Sequence, residues 1–293
     1  MSGKANKMGL RSYMVWLVIP FLLYPASGQS QALVAPMADV HPTSLEKHGD
    51  VRVDEYYWLK ERDNPATIKY LEAENAYLDQ VMAHTKDLQQ TIFDEIKGRI
   101  KQDDSTVPYR TGDHYYYVRY EDGKEYPIYC RKPGSLDAAE QVILDVNVLA
   151  EGKGYFQVGQ TAATEDQKIL AFAADTVGRR FYTLRFRDLT TGDYLEDAIP
   201  DVTGNIAWAN DNRTIFYSKQ DPETLRWHRI FRHELGTDPS QDVLVYEESD
   251  ETFSSFVTKS KSKRYILIGS SQTLSDEYRF VDADEPEDSF TLI

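Results

Sequence analysis

The chain has 293 residues, a formal net charge of −15 at pH 7 and a single cysteine, Cys130. The negative charge argues against a general nucleic-acid binder, because such proteins present a basic face. One cysteine excludes an internal disulfide, and Cys130 together with the scattered histidines cannot assemble a zinc site. We therefore expect Cys130 to be a small apolar residue within a strand.

Residues 1–32 are typical of a signal peptide. Three basic residues lie near its start: Lys4, Lys7 and Arg11. The uncharged apolar run at residues 13–23 is shorter than the roughly 20 residues that a membrane-spanning helix needs. Small residues suited to signal peptidase follow, as far as Gly28 and Ala32. We expect export to the periplasm or the medium and no membrane span after cleavage; an uncleaved N-terminal anchor is the alternative.

The segment 33–105 is predicted to form an extended arm and two helices. Asn64 before Pro65 is typical of a helix start, and Thr85 is suited to cap the second helix. The apolar residues of that second helix recur every four positions: Leu88, Ile92, Ile96 and Ile100, with Phe93 beside them. This stripe and the aromatic run at residues 56–58 are too apolar to stay in water, so we expect both to pack on a partner surface.

From Val107 onward the apolar period becomes that of strands, and one unit repeats. Each unit has a polar turn, then a basic residue, then a β-branched and aromatic run; the basic residues are Lys168, Arg213 and Arg264. A second landmark ends the next run: Asp188-Leu189, Glu234-Leu235 and Asp282-Ala283. Both recur about every 45–50 residues, a period typical of propeller blades. Residues 106–293 are therefore predicted to be the N-terminal part of a β-propeller; a β-sandwich with evenly spaced hairpins is the alternative.

The first of these units begins with a hairpin. Residues 114–120 alternate as a strand, Gly123 lies in a turn where a positive φ is needed, and residues 126–131 return. We take His114 as the counterpart of Lys168. The fold class is thus mainly β, an incomplete propeller of roughly three to four blades, whereas closed propellers have about four to eight.

No constellation of catalytic residues is visible in the sequence. The stretch Gly269–Gln272 comes nearest to a Gly-x-Ser-x-Gly elbow and fails the pattern. A zinc-protease helix, a phosphate loop and a dinucleotide fingerprint are also absent from it. We interpret His228 and His233 as structural, and the acidic pairs Asp103-Asp104 and Glu247-Glu248 as solvated turns. We predict no catalytic, cofactor-binding or metal-binding residue, and no cofactor.

Two stretches resemble the N-terminal signature of the prolyl oligopeptidase family: His48–Leu59 and Tyr70–Tyr77. The resemblance is strongest to oligopeptidase B. Later segments agree in the right order: Glu125–Tyr129, Arg179–Arg187, Trp208–Asp211 with Phe216-Tyr217, and Ser240–Glu248. The resemblance extends from about His41 to Ile293 and rests on many matched segments rather than on one motif.

This resemblance implies a seven-bladed propeller set over an α/β-hydrolase domain with a Ser/Asp/His triad. The propeller of that family restricts entry to short peptides, the oligopeptidase B branch cleaves after Lys or Arg, and the arm packs on the hydrolase domain. The hydrolase domain and the later blades are not found in this sequence, so no catalytic residue of the family maps onto it. We expect the chain to be inactive alone. Its partners would be short basic peptides, through the full-length enzyme, and the hydrolase domain.

The alternative is a non-catalytic, stand-alone propeller that binds a partner, or the product of a truncated and decayed gene. The peptidase hypothesis and this alternative predict the same fold. A reading frame that continues after the Ile293 codon and encodes further blades and a Gly-x-Ser-x-Gly elbow would favour the peptidase, whereas a stop codon there would favour the alternative.

The signal segment yields a direct prediction. We expect the mature protein to begin after Gly28 or Ala32, because small residues there follow a basic start and an apolar run. N-terminal sequencing of the protein from the periplasmic or secreted fraction measures this. Recovery of a soluble cytoplasmic protein that still begins at Met1 would contradict it.

Overall fold

The computed structural model describes residues 33–293, so the predicted signal segment 1–32 lies outside the described residues. The chain divides into two compact units, with the boundary between Arg99 and Ile100. In the part of the chain that the structure describes, no helix is both long and apolar enough to cross a membrane.

The first unit opens with a β-hairpin where the sequence predicted an extended arm. Its strands are β1 (Thr43–Lys47) and β2 (Asp50–Asp54), paired antiparallel. The connecting residues His48 and Gly49 have φ values of 56° and 80°. Two-residue hairpin turns favour this left-handed conformation because it matches the twist of the strands.

The aromatic run that follows is partly used inside the first unit. Trp58 lies in a 3-10 turn, Tyr57–Lys60, and is buried. Its indole Nε1 donates to the carbonyl of Asp39 at 2.9 Å, and its ring lies 5.2 Å from that of His41. Tyr56 remains exposed. The expectation that the whole run docks on a partner is therefore too broad, because Trp58 already has its partners in the arm.

Two helices complete the first unit. They are α1 (Pro65–Val81) and α2 (Lys86–Arg99), separated by the 3-10 turn Met82–Thr85. The Asn64 side chain accepts a hydrogen bond from Ala66 N at 2.9 Å, so the predicted start of α1 agrees with the structure. Thr85 does not supply the expected cap; its hydroxyl donates to the Met82 carbonyl at 2.7 Å. Four apolar side chains of α2 are 46–59% exposed: Leu88, Ile92, Phe93 and Ile96.

The second unit consists of four antiparallel blades. Blade 1 contains β3 (Tyr109–Thr111), β4 (His114–Arg119), β5 (Ile128–Pro133) and β6 (Gln141–Asp145), and the short helix α3 (Val146–Ala150) follows it. Blade 2 contains β7 (Gln157–Ala163), β8 (Ile169–Asp175), β9 (Tyr182–Asp188) and the first half of β10 (Tyr194–Trp208). Blade 3 contains the second half of β10, β11 (Thr214–Gln220), β12 (Trp227–Glu234) and, after a 3-10 turn at Pro239–Gln241, β13 (Val243–Glu247). Blade 4 contains β14 (Ser254–Lys259), β15 (Tyr265–Ser271), β16 (Asp276–Asp282) and β17 (Thr291–Leu292). The count agrees with the predicted three to four blades.

Strand β10 joins blades 2 and 3 into one seven-stranded sheet. Its first half pairs with β9 and its second half with β11, and register shifts separate the two halves on either side of Val202. Asp201 and Gly204 lie at the bend with φ values of 59° and 85°. Bulges of this kind turn a strand sharply, which lets one strand be the outer edge of one blade and the inner edge of the next.

Apolar layers between successive blades form the core. The layer between blades 1 and 2 includes Tyr116, Leu144, Leu170 and Phe172. The layer between blades 2 and 3 includes Leu184, Phe186, Ile199, Ile206 and Trp208. The layer between blades 3 and 4 includes Ile230, Val257, Ile266 and Ile268. On β11, Ile215 and Tyr217 join the second layer and Phe216 joins the third, so alternate side chains serve the two neighbouring blades.

The face of blade 4 that points away from blade 3 is built around Gly269. Phe256 on β14 lies opposite Gly269, and its ring covers the glycine. Further aromatic residues, Tyr278 and the T-shaped pair Tyr265–Phe280, extend the same face. A Cβ on Gly269 would lie 2.8 Å from Cε1 of Phe256 and closer still to Cζ. Glycine is therefore required at this position by the ring above it.

We expect Gly269→Ala to lower the free energy of unfolding by about 1–3 kcal/mol, because the added methyl group overpacks this face. Gly154→Ala is the matched control, since a Cβ there meets nothing within 4 Å and Gly154 has no positive φ. Thermal unfolding of both variants measures the effect. Equal midpoints for the two variants would show that Phe256 moves aside at no cost.

Candidate functional site

The turns between the first and second strands of blades 2, 3 and 4 share one backbone conformation. Gln167, Asn212 and Lys263 have φ values of 64°, 59° and 65°. Each immediately precedes a basic residue of the sequence repeat: Lys168, Arg213 and Arg264. A left-handed conformation is uncommon for residues other than glycine, so its recurrence at three equivalent positions marks a structural element of every blade.

The two landmarks of the sequence repeat are hydrogen-bonded to each other. Leu189 N donates to Lys168 O at 2.7 Å, Leu235 N to Arg213 O at 3.0 Å, and Ala283 N to Arg264 O at 2.7 Å. The two landmarks recur at the same spacing along the sequence because each pair forms the same backbone hydrogen bond in its blade.

Blade 1 has the equivalent hydrogen bond from Gly134 N to Asp113 O, at 2.6 Å. The left-handed residue there is Gly112, with φ 57°. Asp113 is therefore the counterpart of Lys168, and the assignment of His114 was wrong by one position. The sequence could not show this, because the blade 1 turn is shorter and has an acidic residue where the other turns have a basic one.

These turns also link each blade to the next. Gln167 of blade 2 accepts at its carbonyl from Arg131 of blade 1 at 2.6 Å, and its side chain accepts from Tyr116. Asn212 Oδ1 of blade 3 accepts from Asp166 N of blade 2 at 2.9 Å. Asn210 Nδ2 then donates to Lys263 O of blade 4 at 3.2 Å. The turns at this end form a continuous polar chain across four blades.

Glu165 connects two blades that are not neighbours. Its Oε1 lies 2.7 Å from Lys259 Nζ and its Oε2 lies 2.8 Å from Lys263 Nζ, so one carboxylate of blade 2 bridges two cations of blade 4. Burial by itself raises the pKa of Glu165, but the hydrogen bonds from the two ammonium groups hold it below its ordinary value. The bridge spans blade 3 and fixes the angle of the arc.

The inner strands are joined by side-chain amides. Gln160 on β7 bonds both backbone groups of Ile206, with Nε2 to O at 3.0 Å and N to Oε1 at 3.3 Å. Asn205 on β10 bonds both backbone groups of Val257 at 2.9 and 2.7 Å. Because the amides satisfy backbone groups that neighbouring inner strands cannot pair directly, the strands nearest the axis are held at fixed spacing. The inner strands and their amide links are therefore the candidate functional surface of this unit.

A buried cluster around His233 lies between blades 2 and 3. His233 Nδ1 is 2.7 Å from Asp242 Oδ1, and Nε2 is 3.1 Å from Asp197 Oδ1. Tyr217 donates to the other oxygen of Asp242 at 2.7 Å, and the Phe186 ring stacks on the imidazole. An imidazole can donate to two carboxylates only when both nitrogens hold a proton. His233 is thus a buried cation in an ion-pair cluster.

The electrostatics agree with this protonation state. Burial lowers the pKa of His233, but the Asp242 and Asp197 carboxylates outweigh it and raise the pKa above the ordinary value. The imidazole has no exposed surface, so it cannot exchange protons with a substrate. The arrangement resembles a catalytic constellation in composition, yet it fixes blade 2 against blade 3, in accord with the structural role predicted for His233.

The remaining candidate residues have simple places in the fold. Cys130 is fully buried in β5, and burial raises its pKa to about 11, so it is an inert strand residue as expected. Asp103 and Asp104 are exposed. Glu248 is not solvated as predicted: it is half-buried after β13 and accepts from Tyr246 at 2.6 Å and from Ser270. Among residues 33–293, no group of three or more His, Cys, Asp or Glu side chains is placed to bind a metal ion.

Four-stranded antiparallel blades around an axis, joined by one recurring turn, define a β-propeller domain. Residues 36–293 match the model of the prolyl oligopeptidase N-terminal β-propeller domain. The chain therefore belongs to the prolyl oligopeptidase family, of which it is a propeller domain close to oligopeptidase B, and the predicted resemblance is confirmed.

Individual relatives give the same result. The chain is 45% identical over 256 residues to Dipeptidyl aminopeptidase BI of Pseudoxanthomonas mexicana, covering 82% of this chain and 35% of that protein. It is 38% identical over 265 residues to Protease 2 of Moraxella lacunata, covering 88% and 38%. Oligopeptidase B of Leishmania major superposes with a TM-score of 0.83 at 30% identity, covering 89% and 40%. The chain thus spans less than half the length of each relative.

The His233 cluster yields a stability prediction with a defined pH dependence. We expect His233→Gln to lower the free energy of unfolding by about 3–5 kcal/mol, the usual cost of breaking a buried ion pair. The folded pKa is raised, so this contribution is fully present below the unfolded pKa of about 6.5 and is lost as pH rises through the folded value. The difference between the two proteins should therefore be largest at acidic pH and shrink above it.

Denaturant unfolding between pH 5.5 and 9 measures this difference. His228→Gln is the control, because His228 is half-buried and its ring contacts one backbone carbonyl, that of Arg226. A His233 effect that grows with rising pH would mean that the imidazole is neutral in the folded protein.

Proposed function

We propose that this chain is the substrate-gating portion of a serine endopeptidase that cleaves short peptides after Lys or Arg. Family membership and the 30% identity to oligopeptidase B of Leishmania major support this proposal. The observation that bears most on it is the set of amide and turn links between inner strands. A filter for peptide size needs an opening that does not widen when a larger chain presses on it. The net charge of −15 is compatible with basic substrates.

In this proposal an α/β-hydrolase domain supplies the chemistry. Acyl transfer needs a nucleophile, a base and oxyanion donors close together, and the blades contribute access control rather than these groups. The exposed stripe of α2, with Leu88, Ile92, Phe93 and Ile96, would pack on that domain. Because these side chains are already about half buried, burying the rest of each would contribute about half of the roughly 1.5–3 kcal/mol expected for full burial. The signal segment supports export of the protein.

The name of one relative favours a second activity. The relative that is 45% identical is named a dipeptidyl aminopeptidase. Removal of dipeptides from a free amino terminus is therefore the competing proposal for the same fold. The two activities differ in whether a blocked amino terminus is tolerated.

Hydrolysis by the native protein tests the proposal. Antibodies raised against residues 33–293 would purify the natural gene product from its source cells, whatever its length. We expect it to hydrolyse amino-blocked reporters with Arg or Lys before the scissile bond, to spare Ala and Pro reporters, and to leave folded proteins intact. We expect the purified 293-residue chain alone to hydrolyse none of these reporters.

Other outcomes have defined meanings. Turnover of free but not amino-blocked dipeptide reporters would favour dipeptide removal. If the native protein digested folded proteins, the proposal that the blades restrict entry to short peptides would be wrong. Turnover by the purified chain, with a serine labelled by a fluorophosphonate, would show that the blades themselves contain a nucleophile.

A further inference from the structure

A cationic groove lies between blades 2 and 3. Its basic residues are Arg179, Lys219 and Arg229, and its cavity measures about 530 Å³. Phe181 and Phe231 form its apolar walls. In the described part of the chain, Asp201 is the acidic side chain that lines it. A groove with three cations and one acid is unusual in a protein whose net charge is −15.

Two of these cations oppose each other directly. Lys219 on β11 and Arg229 on β12 are cross-strand partners, so their side chains share one face of the sheet. Like charges in this arrangement destabilise a sheet unless an anion lies between them. The Lys219 ammonium lies 5.5 Å from the centre of the Phe231 ring, which contributes some attraction but leaves the charge uncompensated.

Arg229 also has an unused donor. Its Nε is buried and has no hydrogen-bond partner among the described residues. Glu247 on β13 is the other cross-strand neighbour of Arg229, yet in the described structure the two do not form an ion pair. A buried guanidinium donor without a partner costs free energy. Arg229 also forms no ion pair among the described residues, so its charge is unmatched where it lines the groove.

A second cavity of about 550 Å³ shares Phe181 and Asp201 with the groove but lies on the other face of blade 2, toward blade 1. Two further cations line this second cavity, Lys153 and Arg185. Aromatic side chains line it as well, including Phe156 and Tyr194. The groove between blades 2 and 3 is by itself of the size that holds a small ligand or the end of a short peptide.

We propose that Lys219 and Arg229 bind the terminal carboxylate of a short peptide, with its last side chains lying against Phe181 and Phe231. A guanidinium matches a carboxylate with two parallel hydrogen bonds, and the adjacent ammonium adds a second charge. A free terminal carboxylate is common to short peptides of any sequence. This inference rests on the proposed function, in which short peptides are the substrates, and it adds a subsite that selects peptides by their free end.

Calorimetric titration of the full 293-residue chain tests this subsite without any hydrolysis. The probe is acetyl-Ala-Ala-Phe with a free carboxylate, compared with the same peptide as its C-terminal amide and with inorganic phosphate. We expect the amide to bind at least about tenfold more weakly, since it loses the charge-assisted hydrogen bonds. Phosphate should bind more weakly than the acid peptide, because it cannot use the aromatic walls.

Variants locate the site. Arg229→Gln should weaken the acid peptide about tenfold and leave the amide unchanged, and Lys219→Gln should weaken the acid peptide severalfold. Lys261→Gln is the matched control: it removes one positive charge from an exposed turn of blade 4 that does not line either cavity. Lys219→Gln should also leave the unfolding midpoint of the free chain unchanged or higher, because it removes a like-charge pair.

Several results would overturn the assignment. Equal affinity of the unaltered chain for the peptide with a free carboxylate and for its C-terminal amide would contradict the proposal, whatever the variants show. Equal affinity for phosphate and peptide would indicate a general anion patch. Tight binding of an amidated peptide with an internal glutamate would reassign the groove to acidic side chains. A negative result in these titrations would not change the outcome of the reporter assays on the native protein. The subsite and the proposed peptidase activity can therefore be contradicted independently.

Discussion

The arrangement of the blades depends on one recurring hydrogen-bonded turn. In each blade from the second to the fourth, a residue in the left-handed conformation ends the turn between the first and second strands. The carbonyl of the residue after it accepts a hydrogen bond from the backbone N–H that follows the third strand. The same turns hold Gln167 to blade 1 and Asn212 to blade 2. Because one local structure closes the blade and contacts its neighbour, blade shape and blade spacing are set together.

Apolar layers and buried charges then have different roles between the blades. The apolar layers supply most of the favourable free energy, but burial is non-directional and would tolerate some sliding of one sheet over another. The Glu165 bridge to Lys259 and Lys263 and the His233 cluster are directional, since each works at one spacing. An arc held this way keeps its inner strands at a constant radius.

The cationic groove differs from the rest of the second unit because, in the described part of the chain, its positive charges are not paired with carboxylates. Three basic residues that follow the left-handed turn positions each have a carboxylate beside them: Lys168 has Asp166 at 3.2 Å, Arg213 has Glu234 at 2.8 Å and Arg264 has Asp282 at 3.6 Å. Lys219 and Arg229 instead face each other across two strands. Proteins keep unfavourable arrangements of this kind mainly where a ligand relieves them, and that is the physical basis for treating the groove as a subsite.

Local propensity and a repeated pattern act along the chain, so the start of α1, the strand periods, a range of three to four blades and the family could all be predicted before the fold was known. It placed His114 one residue from the true counterpart, Asp113, since hydrogen bonding rather than residue type defines that position. Three contacts became visible only in the folded chain: His233 with Asp197 and Asp242, the Trp58 indole with the Asp39 carbonyl, and Lys219 opposite Arg229. Those contacts join residues from different strands or turns, and no pattern in a single strand encodes the register that brings them together.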